Sequence, residues 1–343
     1  MTTIYLIRHA EAEGNLYRRV HGWYNSRITE NGYRQIAALE ERFRTISIDA
    51  VYASDLFRTM TTARGVYVPK GLELRTDPGL REMNLGDWED LTFGEVRHHW
   101  PEEMERFNRS DSTWKAPNGE DFYQMGDRIE GTVRRIAQMH PNQTIALFSH
   151  GMVIRQLIAR VKEVPQEEWH SVPHGDNTAV TRLTFDGERF GLELVLDNSH
   201  LPQAISTLAR QSWWRKDKSK TVDVNLWFRP AVPEEREWYP AGENRNLTVA
   251  MAGDRPAGIL AASRAGVDGA GQIEYLTIFP EHRGRNLGVQ LIGQAVSVFR
   301  KSGLDRIVLP CPAEEARGYF RQFGFTETGE GLGRMEKYIG LDQ

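Results

Sequence analysis

The chain has 343 residues, of which 40% are hydrophobic and 26% are charged, and its formal net charge is −4. This length suits two domains rather than one core, and the composition is typical of a globular protein and excludes a disordered one. The weakly acidic net charge argues against nucleic acid or membrane as a partner, and no apolar run reaches the roughly 18 residues of a membrane span. The single cysteine, Cys311, excludes an internal disulfide and a cysteine-rich metal site.

Residues 1–201 alternate between apolar runs of strand length and helical stripes. The runs at 4–7, 50–53 and 144–148 predict buried strands. Ser54-Asp55, after the second run, predicts a helix N-cap. Apolar side chains at helical spacing predict two helices, one from Ile36, Leu39, Phe43 and Ile46 and one from Phe122, Met125, Ile129, Val133 and Ile136. This alternation indicates a parallel α/β sheet with helices on both faces.

A cationic stretch without apolar periodicity, residues 210–220, separates this region from a second set of elements. That set begins near Val222, with hairpin strands predicted at 247–250 and 258–262 and a further strand at 273–279. A helix face and a strand at 306–309 follow, the face being formed by Gly288, Leu291, Ile292, Ala295 and Phe299. We therefore predict a first domain at 1–202, a linker at 203–221 and a second domain at 222–343.

Two histidines, His9 and His150, each come directly after a predicted strand of the first domain. The carboxyl ends of strands form the ligand crevice of open parallel sheets, and Arg8 and Arg58 can converge there too. Such a cationic cluster with an imidazole nucleophile suits a phosphoryl group, which needs positioning and charge stabilisation. Glu82 would supply the acid that protonates a leaving alkoxide. This chemistry requires no metal.

Longer motifs surround these residues and follow one another in a fixed order. They are Leu6 to Glu11 with Asn15, Ser54 to Ala63, Leu80 to Glu82 with 86–89, Gly119-Glu120, Ser149-His150-Gly151 and Asn198 to Leu201. Over residues 3–202 this order resembles the histidine phosphatase superfamily, also called phosphoglycerate-mutase-like. The resemblance implies a three-layer α/β/α domain in which His9 accepts the phosphoryl group and Glu82 donates the proton. It also implies that Arg8, Arg58 and His150 bind the phosphate, with Asn15 as a further contact.

Some positions depart from the family or go beyond its motifs. Ala10 stands where the family usually has glycine, and its methyl group would narrow the pocket floor slightly. The longer insertion of the mutases is also missing. We therefore expect hydrolysis rather than intramolecular transfer of the phosphate. Trp23 and Tyr24, on the loop after the nucleophile, are candidate substrate contacts. The aromatic residues of the specificity region, 85–125, are expected mostly to pack the family's lid onto the sheet, and we predict no metal at His98-His99 or at His170 with His174.

The second domain contains a strand followed by an Arg/Gly loop that opens a helix. Backbone N–H groups at such a helix start can cradle a pyrophosphate. Residues 273–288, together with Ala316, Tyr319-Phe320 and Phe323 to Phe325, resemble the GNAT acyltransferases, an α+β fold. The resemblance implies acetyl-CoA binding by Ile278, Arg283, Gly284, Arg285, Asn286, Leu287 and Gly288.

The second domain also departs from its family. Asn286 stands where the family has its first loop glycine, and asparagine tolerates left-handed backbone angles. The family's helix tyrosine, a common general acid, falls on Phe320. The neighbouring Tyr319 is a candidate for that role, although its side chain would point about 100° away on a helix. Glu274 is a candidate general base for an amine, although an exposed strand glutamate without that role is an equal alternative. The acceptor-shaping region near 229–247 is short for two helices.

The sequence therefore favours a bifunctional enzyme, a metal-independent phosphomonoesterase joined to an acetyl-CoA-dependent N-acyltransferase. Its expected partners are a small phosphate ester and a small amine. Two alternatives stay open: a phosphatase with a non-catalytic acyl-CoA-sensing domain, and a phosphoglycerate mutase. An apolar run begins almost at Met1 with no basic segment before it, so we expect no signal peptide and a cytoplasmic location.

Overall fold

The structure is a computed structural model that describes residues 1–211, 224–239, 247–263, 269–310, 313–328 and 333–341. Contacts divide the chain into two compact units. The first unit comprises Met1–Ala12, His21–Glu89 and Pro101–Asp223, and the second comprises Glu13–Val20, Asp90–Trp100 and Val224–Gln343. Two short segments of the predicted first domain therefore pack in the second unit. The linear boundaries at 202 and 222 stay a prediction, and most of the predicted linker lies outside the described residues.

Regular elements account for much of both units. The described helices are α1 (Glu13–Tyr17), α2 (Glu30–Phe43), α3 (Phe57–Tyr67), α4 (Phe93–His99), α5 (Pro101–Asn108), α6 (Phe122–Gln138), α7 (Gly151–Val161), α8 (Thr207–Arg210), α9 (Gly288–Lys301) and α10 (Glu314–Arg321). The described strands are β1 (Thr2–Arg8), β2 (Ala50–Ala53), β3 (Leu74–Thr76), β4 (Thr144–Ser149), β5 (Val180–Phe185), β6 (Phe190–Asp197), β7 (Trp227–Pro230), β8 (Leu247–Ala252), β9 (Arg255–Ser263), β10 (Gly271–Ile278), β11 (Arg306–Pro310), β12 (Thr326–Thr328) and β13 (Arg334–Tyr338). The strands predicted at 4–7, 50–53 and 144–148 are confirmed as β1, β2 and β4.

The first unit is built on a six-stranded sheet in the order β3-β2-β4-β1-β5-β6. The predicted parallel pairing is confirmed for β1 to β4, with Ile4 opposite Ile145. Two strands that the sequence analysis does not predict complete the sheet: β5 pairs antiparallel with β1, and β6 pairs antiparallel with β5. The connection between β5 and β6 is short, as in a hairpin. Tyr5 and Ile7 pack in a cluster with Leu39 of α2 and with α3, while Ile4 and Leu6 are buried on the other face. Both faces are therefore covered, as the three-layer prediction requires.

The prediction that Ser54-Asp55 caps the next helix is wrong. Helix α3 begins at Phe57, and its N-cap residue, Leu56, provides no side-chain hydrogen bond. The Ser54 hydroxyl instead lies 2.7 Å from His150 Nε2, and the Asp55 carboxylate pairs with Arg81. Both side chains therefore bind residues distant in sequence instead of capping α3, and the partner of Ser54, His150, belongs to the candidate site.

The second unit is built on a seven-stranded sheet in the order β12-β13-β11-β10-β9-β8-β7. Among the described strands of this sheet only β10 and β11 pair in parallel. The hairpin predicted from the strands at 247–250 and 258–262 is confirmed as β8 and β9. Helix α9 buries its apolar face in a core that includes Tyr17 of α1. A β-carbon at Gly293 of α9 would lie 2.4 Å from the Tyr17 β-carbon, so α1 and α9 approach closely. No helix among the described residues combines the length and apolar character that a membrane span requires.

Candidate active sites

His9 follows β1 directly and is 2% exposed. Its backbone is held at both ends, because its N–H donates to the Ser149 carbonyl at 3.0 Å and its carbonyl accepts from Asn177 Nδ2 at 2.9 Å. On the ring, Nδ1 lies 2.7 Å from the Ala10 carbonyl oxygen. A carbonyl only accepts, so this contact places the ring proton on Nδ1. The lone pair that can act as a nucleophile is therefore on Nε2.

The surroundings of His9 keep its ring neutral. Burial, Arg58, Arg8 and His21 together hold the pKa of His9 well below its ordinary value of 6.5. The His150 ring lies with its centroid 5.2 Å from that of His9, and the His21 ring lies at 5.6 Å. At pH 7 His9 is consequently a neutral imidazole in a cationic environment, which is the form that attacks an electrophile.

Arg58, on α3, is fully buried and organises the loop after the nucleophile. Its NH1 donates to the Tyr24 carbonyl at 3.0 Å, and its NH2 donates to the carbonyls of His21 and Gly22 at 2.8 and 2.7 Å. Burial lowers the pKa of Arg58 to about 10, so the side chain stays charged at neutral pH. Glycine is required at position 22, because a β-carbon there would lie 2.2 Å from the Met83 carbonyl oxygen.

Three hydrogen-bonding atoms of the cluster are buried without a partner among the described residues: Arg8 Nε, Arg58 Nε and His150 Nδ1. Arg8 is fixed by a 2.7 Å bond from NH1 to the Gly175 carbonyl, and a β-carbon at Gly151, the first residue of α7, would lie 3.3 Å from its Nε. His150 is the N-cap residue of α7. An unsatisfied buried donor costs about 1–3 kcal/mol. Two guanidinium donors and an imidazole at a helix N-terminus fit the oxygens of a phosphoryl group.

Glu82 lies at the same helix N-terminus. Its carboxylate accepts from the N–H groups of Met152 and Val153 at 3.0 and 3.2 Å, both in the first turn of α7. Its charge also raises the pKa of Arg8 and Arg58 against the effect of burial. The structure thus brings Glu82 into the same electrostatic cluster as the cationic residues predicted with it.

Arg128, on α6, holds the segment that carries Glu82. It donates to the carbonyls of Arg81 and Glu82 at 2.8 and 2.9 Å, and Glu120 grips its guanidinium with both carboxylate oxygens at 2.8 and 2.7 Å. A planar guanidinium bound on two sides is a rigid support. Glu120, which the sequence marks only as part of a motif, therefore acts on the site through Arg128.

The loop of the second unit that precedes α9 has the backbone that the sequence predicts. Gly284 has φ +75° and Asn286 has φ +55°, so the asparagine does adopt the left-handed conformation. Leu287, the N-cap residue of α9, makes no side-chain capping bond. Arg283 and Arg285 are exposed, and Arg283 Nε donates to the Ile278 carbonyl at 3.0 Å. The first N–H groups of a helix have no partner within the helix and can bind an anion.

The candidate acyl-transfer residues fall into two places in the second unit. Phe320 is buried in the core, whereas the Tyr319 hydroxyl is buried without a partner among the described residues, and burial raises its pKa well above the ordinary value of 10. A β-carbon at Gly288, the first residue of α9, would lie 2.4 Å from that hydroxyl. Glu274 lies on β10 and accepts a 3.0 Å hydrogen bond from the Tyr239 hydroxyl.

Comparison with known proteins matches residues 4–198 to the histidine phosphatase superfamily (branch 1). The chain belongs to the histidine phosphatase superfamily. Residues 209–325 match the acetyltransferase (GNAT) family, so the chain carries a GNAT domain at its C-terminal end.

Relatives and solved structures agree with this assignment. A phosphoglycerate mutase-like protein 4 from Arabidopsis thaliana is 32% identical over 58% of this chain and 87% of its own length. YhfR from Bacillus stearothermophilus is 32% identical with a TM-score of 0.57 and covers 58% of this chain and 99% of its own. An α-ribazole phosphatase from Shigella flexneri is 26% identical with a TM-score of 0.53 and covers 57% of this chain and 96% of its own. A mycobacterial glucosyl-3-phosphoglycerate phosphatase in complex with VO3 is 26% identical with a TM-score of 0.53, and the match covers 57% of this chain and 99% of that chain.

Within the histidine phosphatase region, Trp23 and Tyr24 belong to the loop that Arg58 holds. The Trp23 indole N–H donates to the Glu82 carbonyl at 2.8 Å, and the Glu89 carboxylate accepts from the backbone N–H groups of Trp23 and Tyr24 at 2.7 and 2.8 Å. Substrate contact by these two rings stays a prediction. The same holds for Asn15, which lies on α1 in the second unit.

Two residues of the site escaped the sequence reasoning. His21 carries no motif signal, and only folding of its loop brings its ring next to His9. Asp176 is 1% exposed, and its charge raises the pKa of Arg8 against burial. Its carboxylate also accepts from Ser206 Oγ at 2.5 Å. The turn-forming residues Gly175, Asp176 and Asn177, shortly before β5, were the available sequence signal for it.

The aromatic residues of the specificity region mostly pack, as expected. Trp88 and Trp114 are fully buried with ring centroids 5.0 Å apart, and Phe107 contacts both. His98 stacks on Trp227 with centroids 3.7 Å apart. Ala10 lies in a buried cluster with Ala12, Ile28 and Ile36, so its methyl group packs against aliphatic side chains instead of narrowing the pocket floor. Within the described residues, no group of three or more His, Cys, Asp or Glu side chains is arranged to hold a metal.

Proposed function

We propose that the first unit hydrolyses small phosphomonoesters through a phosphohistidine at His9. The observation that supports this most strongly is the hydrogen bond from His9 Nδ1 to the Ala10 carbonyl, which leaves the lone pair on Nε2 of a neutral, buried ring. The orphaned donor atoms of Arg8, Arg58 and His150 supply the complementary anion site.

In the first step, His9 Nε2 attacks phosphorus and the ester P–O bond breaks. The leaving alkoxide takes a proton from Glu82, which therefore enters the step protonated. Arg8 and Arg58 stabilise the charge on the equatorial oxygens throughout.

In the second step, Glu82 is a carboxylate and removes a proton from water. The water oxygen attacks phosphorus, the bond between phosphorus and His9 Nε2 breaks, and inorganic phosphate leaves. Glu82 ends the cycle protonated and His9 ends it neutral, so both groups return to their starting forms. The residues of this chain perform both steps with acid–base and nucleophilic chemistry alone.

The substrate is proposed to be a small phosphate ester with an apolar or ring-bearing group, because Trp23 lies next to Glu82 and the Arg81 guanidinium stacks 4.7 Å above its ring. Names of the solved neighbours favour hydrolysis, since two are phosphatases. The relatives named as mutase-like support the alternative of a phosphoglycerate mutase.

Phosphate release from a panel of phosphomonoesters, with and without chelator, tests the proposal. Release that is insensitive to chelator and lost in His9→Ala supports it. A matched control is His200→Ala, because His200 is a half-buried histidine that bonds Thr178 and Arg42. Interconversion of phosphoglycerates without net phosphate release favours the mutase, and full activity of His9→Ala contradicts both.

For the second unit, we propose N-acyl transfer from acetyl-CoA to a small amine. The left-handed backbone at Gly284 and Asn286, the uncapped start of α9 and the exposed Arg283 and Arg285 fit a pyrophosphate. Acetyl-CoA, when bound, supplies an acyl group activated as a thioester. Ile278 at the end of β10 and the 283–288 backbone would hold it, Glu274 would remove the proton of the amine, and Tyr319 would protonate the leaving sulfur.

Phe320 favours one alternative for this unit. It lies at the family's tyrosine position and packs into the core, which suits a non-catalytic acyl-CoA sensor. Calorimetric titration with acetyl-CoA, followed by thiol release with a panel of amines, separates the two. Binding with turnover supports transfer, binding without turnover supports the sensor, and no binding contradicts both. With both activities, the chain would be a bifunctional enzyme of small metabolites, for which a cytoplasmic location is proposed.

A further inference from the structure

A short segment that follows the histidine phosphatase match is packed into the first unit. The match ends at residue 198, and the GNAT match begins at residue 209. Residues 205–208, which form the strap, lie between the two matches and include the start of α8. The chain between two domains is normally exposed, yet Ser206 and Thr207 are 7% and 3% exposed. The strap therefore has buried partners in the first unit.

The first of these partners is the buried acid Asp176. Ser206 Oγ donates to its Oδ2 atom at 2.5 Å. The backbone N–H groups of Thr207 and Leu208 donate to its Oδ1 atom at 3.1 and 3.2 Å. All three donors are neutral, so the strap fixes the position of the carboxylate without cancelling its charge.

The turn that contains this acid, residues 175–179, holds the end of the strand that carries the nucleophile. The Gly175 carbonyl accepts from Arg8 NH1 at 2.7 Å. Asn177 Nδ2 donates to the His9 carbonyl at 2.9 Å. The position of the turn therefore determines where the Arg8 guanidinium and the His9 backbone lie.

The second partner of the strap is Glu11, a buried acid two residues after His9. Thr207 Oγ1 donates to Glu11 Oε2 at 2.9 Å, and Thr29 Oγ1 donates to Glu11 Oε1 at 2.8 Å. The Thr207 hydroxyl also accepts from Gln35 Nε2 at 3.0 Å, and Gln35 Oε1 accepts from the Glu11 N–H at 2.8 Å. One hydroxyl of the strap thus holds the side chain of Glu11 and, through Gln35, its backbone.

We propose that the strap positions the nucleophile for the phosphoryl transfer of the first unit, with Thr207 and Asp176 as positioning residues. Thr207 acts through Glu11, on the chain just after His9. Asp176 acts through its turn, which binds Arg8 and the His9 carbonyl. Neither residue takes part in bond making, but the rate depends steeply on placement, because a shift of about 1 Å can cost about 10²-fold.

Steady-state hydrolysis of p-nitrophenyl phosphate by the full chain tests the proposal. Thr207→Val keeps a similar shape but removes the hydroxyl, so kcat should fall about tenfold. We expect KM to change by less than about threefold, because Arg58 and His150 still bind the phosphate. Thr207→Ser restores the hydroxyl and should keep kcat within about threefold of wild type.

A second pair of variants separates the position of Asp176 from its charge. Asp176→Ala removes the acceptor that the strap binds and should lower kcat about 10- to 100-fold. Asp176→Asn loses the charge but keeps an oxygen that accepts from backbone N–H groups, so kcat should stay within about threefold of wild type. Equal losses in the two variants would mean that the charge matters, which overturns the positioning role. This pair also provides the test if Thr207→Val does not fold.

Thr2→Val is the matched control. Thr2 is 2% exposed, and its hydroxyl donates to the His140 carbonyl at 2.8 Å. It lies at the start of β1, at the opposite end of the strand from His9, so its loss should leave kcat unchanged. Equal loss of kcat in Thr207→Val, Thr207→Ser and Thr2→Val overturns the proposal, and so does a loss that appears only in KM.

The proposal rests on the phosphohistidine mechanism, which His9→Ala tests in the same assay. Hydrolysis that persists in His9→Ala removes the mechanism and the proposal together. Hydrolysis that requires His9 but keeps its full kcat in both Thr207→Val and Asp176→Ala removes only the proposal.

Discussion

Asp90 is a buried acid whose replacement should destabilise the second unit. Its carboxylate is 3% exposed and pairs with Arg19 Nε at 2.9 Å, where the Arg19 side chain is 7% exposed. It also accepts from Ser297 Oγ at 2.6 Å and lies 2.8 Å from Lys301 Nζ. Because Lys301 is 56% exposed, we expect its ion pair with Asp90 to contribute less to the stability of the unit than the buried pair with Arg19 does. Removing one partner of a buried ion pair costs about 3–5 kcal/mol, so we expect Asp90→Ala to destabilise the unit by that amount.

The backbone adds to this cost in a way that a second variant separates. Asp90 has φ +62°, a left-handed conformation that aspartate and asparagine tolerate better than alanine. Asp90→Asn keeps this tolerance and the side-chain shape but removes the charge. Asp90→Asn should therefore destabilise the unit less than Asp90→Ala does. The difference between the two variants measures how much of the destabilisation by Asp90→Ala comes from the backbone and from packing.

Hydrogen exchange of α9 peptides is the assay, because it reports the opening free energy of this unit separately from that of the first. Glu314→Gln is the control: its pair with Arg317 is exposed, with the Glu314 side chain 70% accessible, and its loss should cost no more than about 1 kcal/mol. If Asp90→Ala lowers the opening free energy by no more than the control, the buried pair does not stabilise the unit and the reasoning fails.

The effect of Asp90 should depend on pH. Burial acts to raise the pKa of Asp90, but Arg19, Lys301 and Ser297 outweigh it and hold the pKa below the ordinary value of 3.8. A carboxyl with a lowered pKa contributes stability above its unfolded pKa and loses it as the pH falls through the folded one. The difference in opening free energy between wild type and Asp90→Asn should therefore be constant above pH 5 and disappear as the pH falls below about 3.8.

Three further predictions concern the phosphatase chemistry and the packing. Glu82→Gln should lower kcat on alkyl phosphates about 10²- to 10⁴-fold but lower it much less on p-nitrophenyl phosphate, whose leaving group needs no proton. Because the pKa of His9 lies well below 6.5, the acid limb of kcat/KM should not show His9 titrating at its ordinary value, and a fall centred at pH 6.5 that tracks His9 protonation by NMR would contradict this. Gly293→Ala should lower the stability of the second unit by about 1–3 kcal/mol, as measured by hydrogen exchange, because the added methyl group forces Tyr17 away from α9. Gly131→Ala, on α6, has open space around the added methyl group and should not destabilise the first unit.

Local patterns explain why much of the fold was predictable. The strands at 4–7 and 144–148 are apolar runs that can be recognised without knowledge of their partners, and His9 and His150 follow them directly. Motif order then placed Arg58 and Glu82 with them. The left-handed backbone of Asn286 was predictable because it is an intrinsic property of asparagine.

Long-range partners explain what the sequence could not show. The Ser54 hydroxyl serves His150, 96 residues away, instead of capping α3. Arg128 reaches the carbonyl of Glu82, 46 residues away, and nothing in its own helix marks it as a support. Residues 13–20 pack in the second unit because Glu13 pairs with Arg300, 287 residues away. Periodicity describes one segment at a time, so it contains no information about such partners.

Trapping the covalent intermediate tests the central claim most directly. The full chain is mixed with a turned-over phosphomonoester, quenched in alkali, where phosphohistidine is stable, and digested for mass spectrometry, with ³¹P NMR to identify the ring nitrogen. We expect one phosphoryl group per chain on Nε2 of His9, labile in acid and lost in His9→Gln. Turnover in which His9 carries no phosphate, or phosphate on another histidine with full activity in His9→Gln, would contradict it.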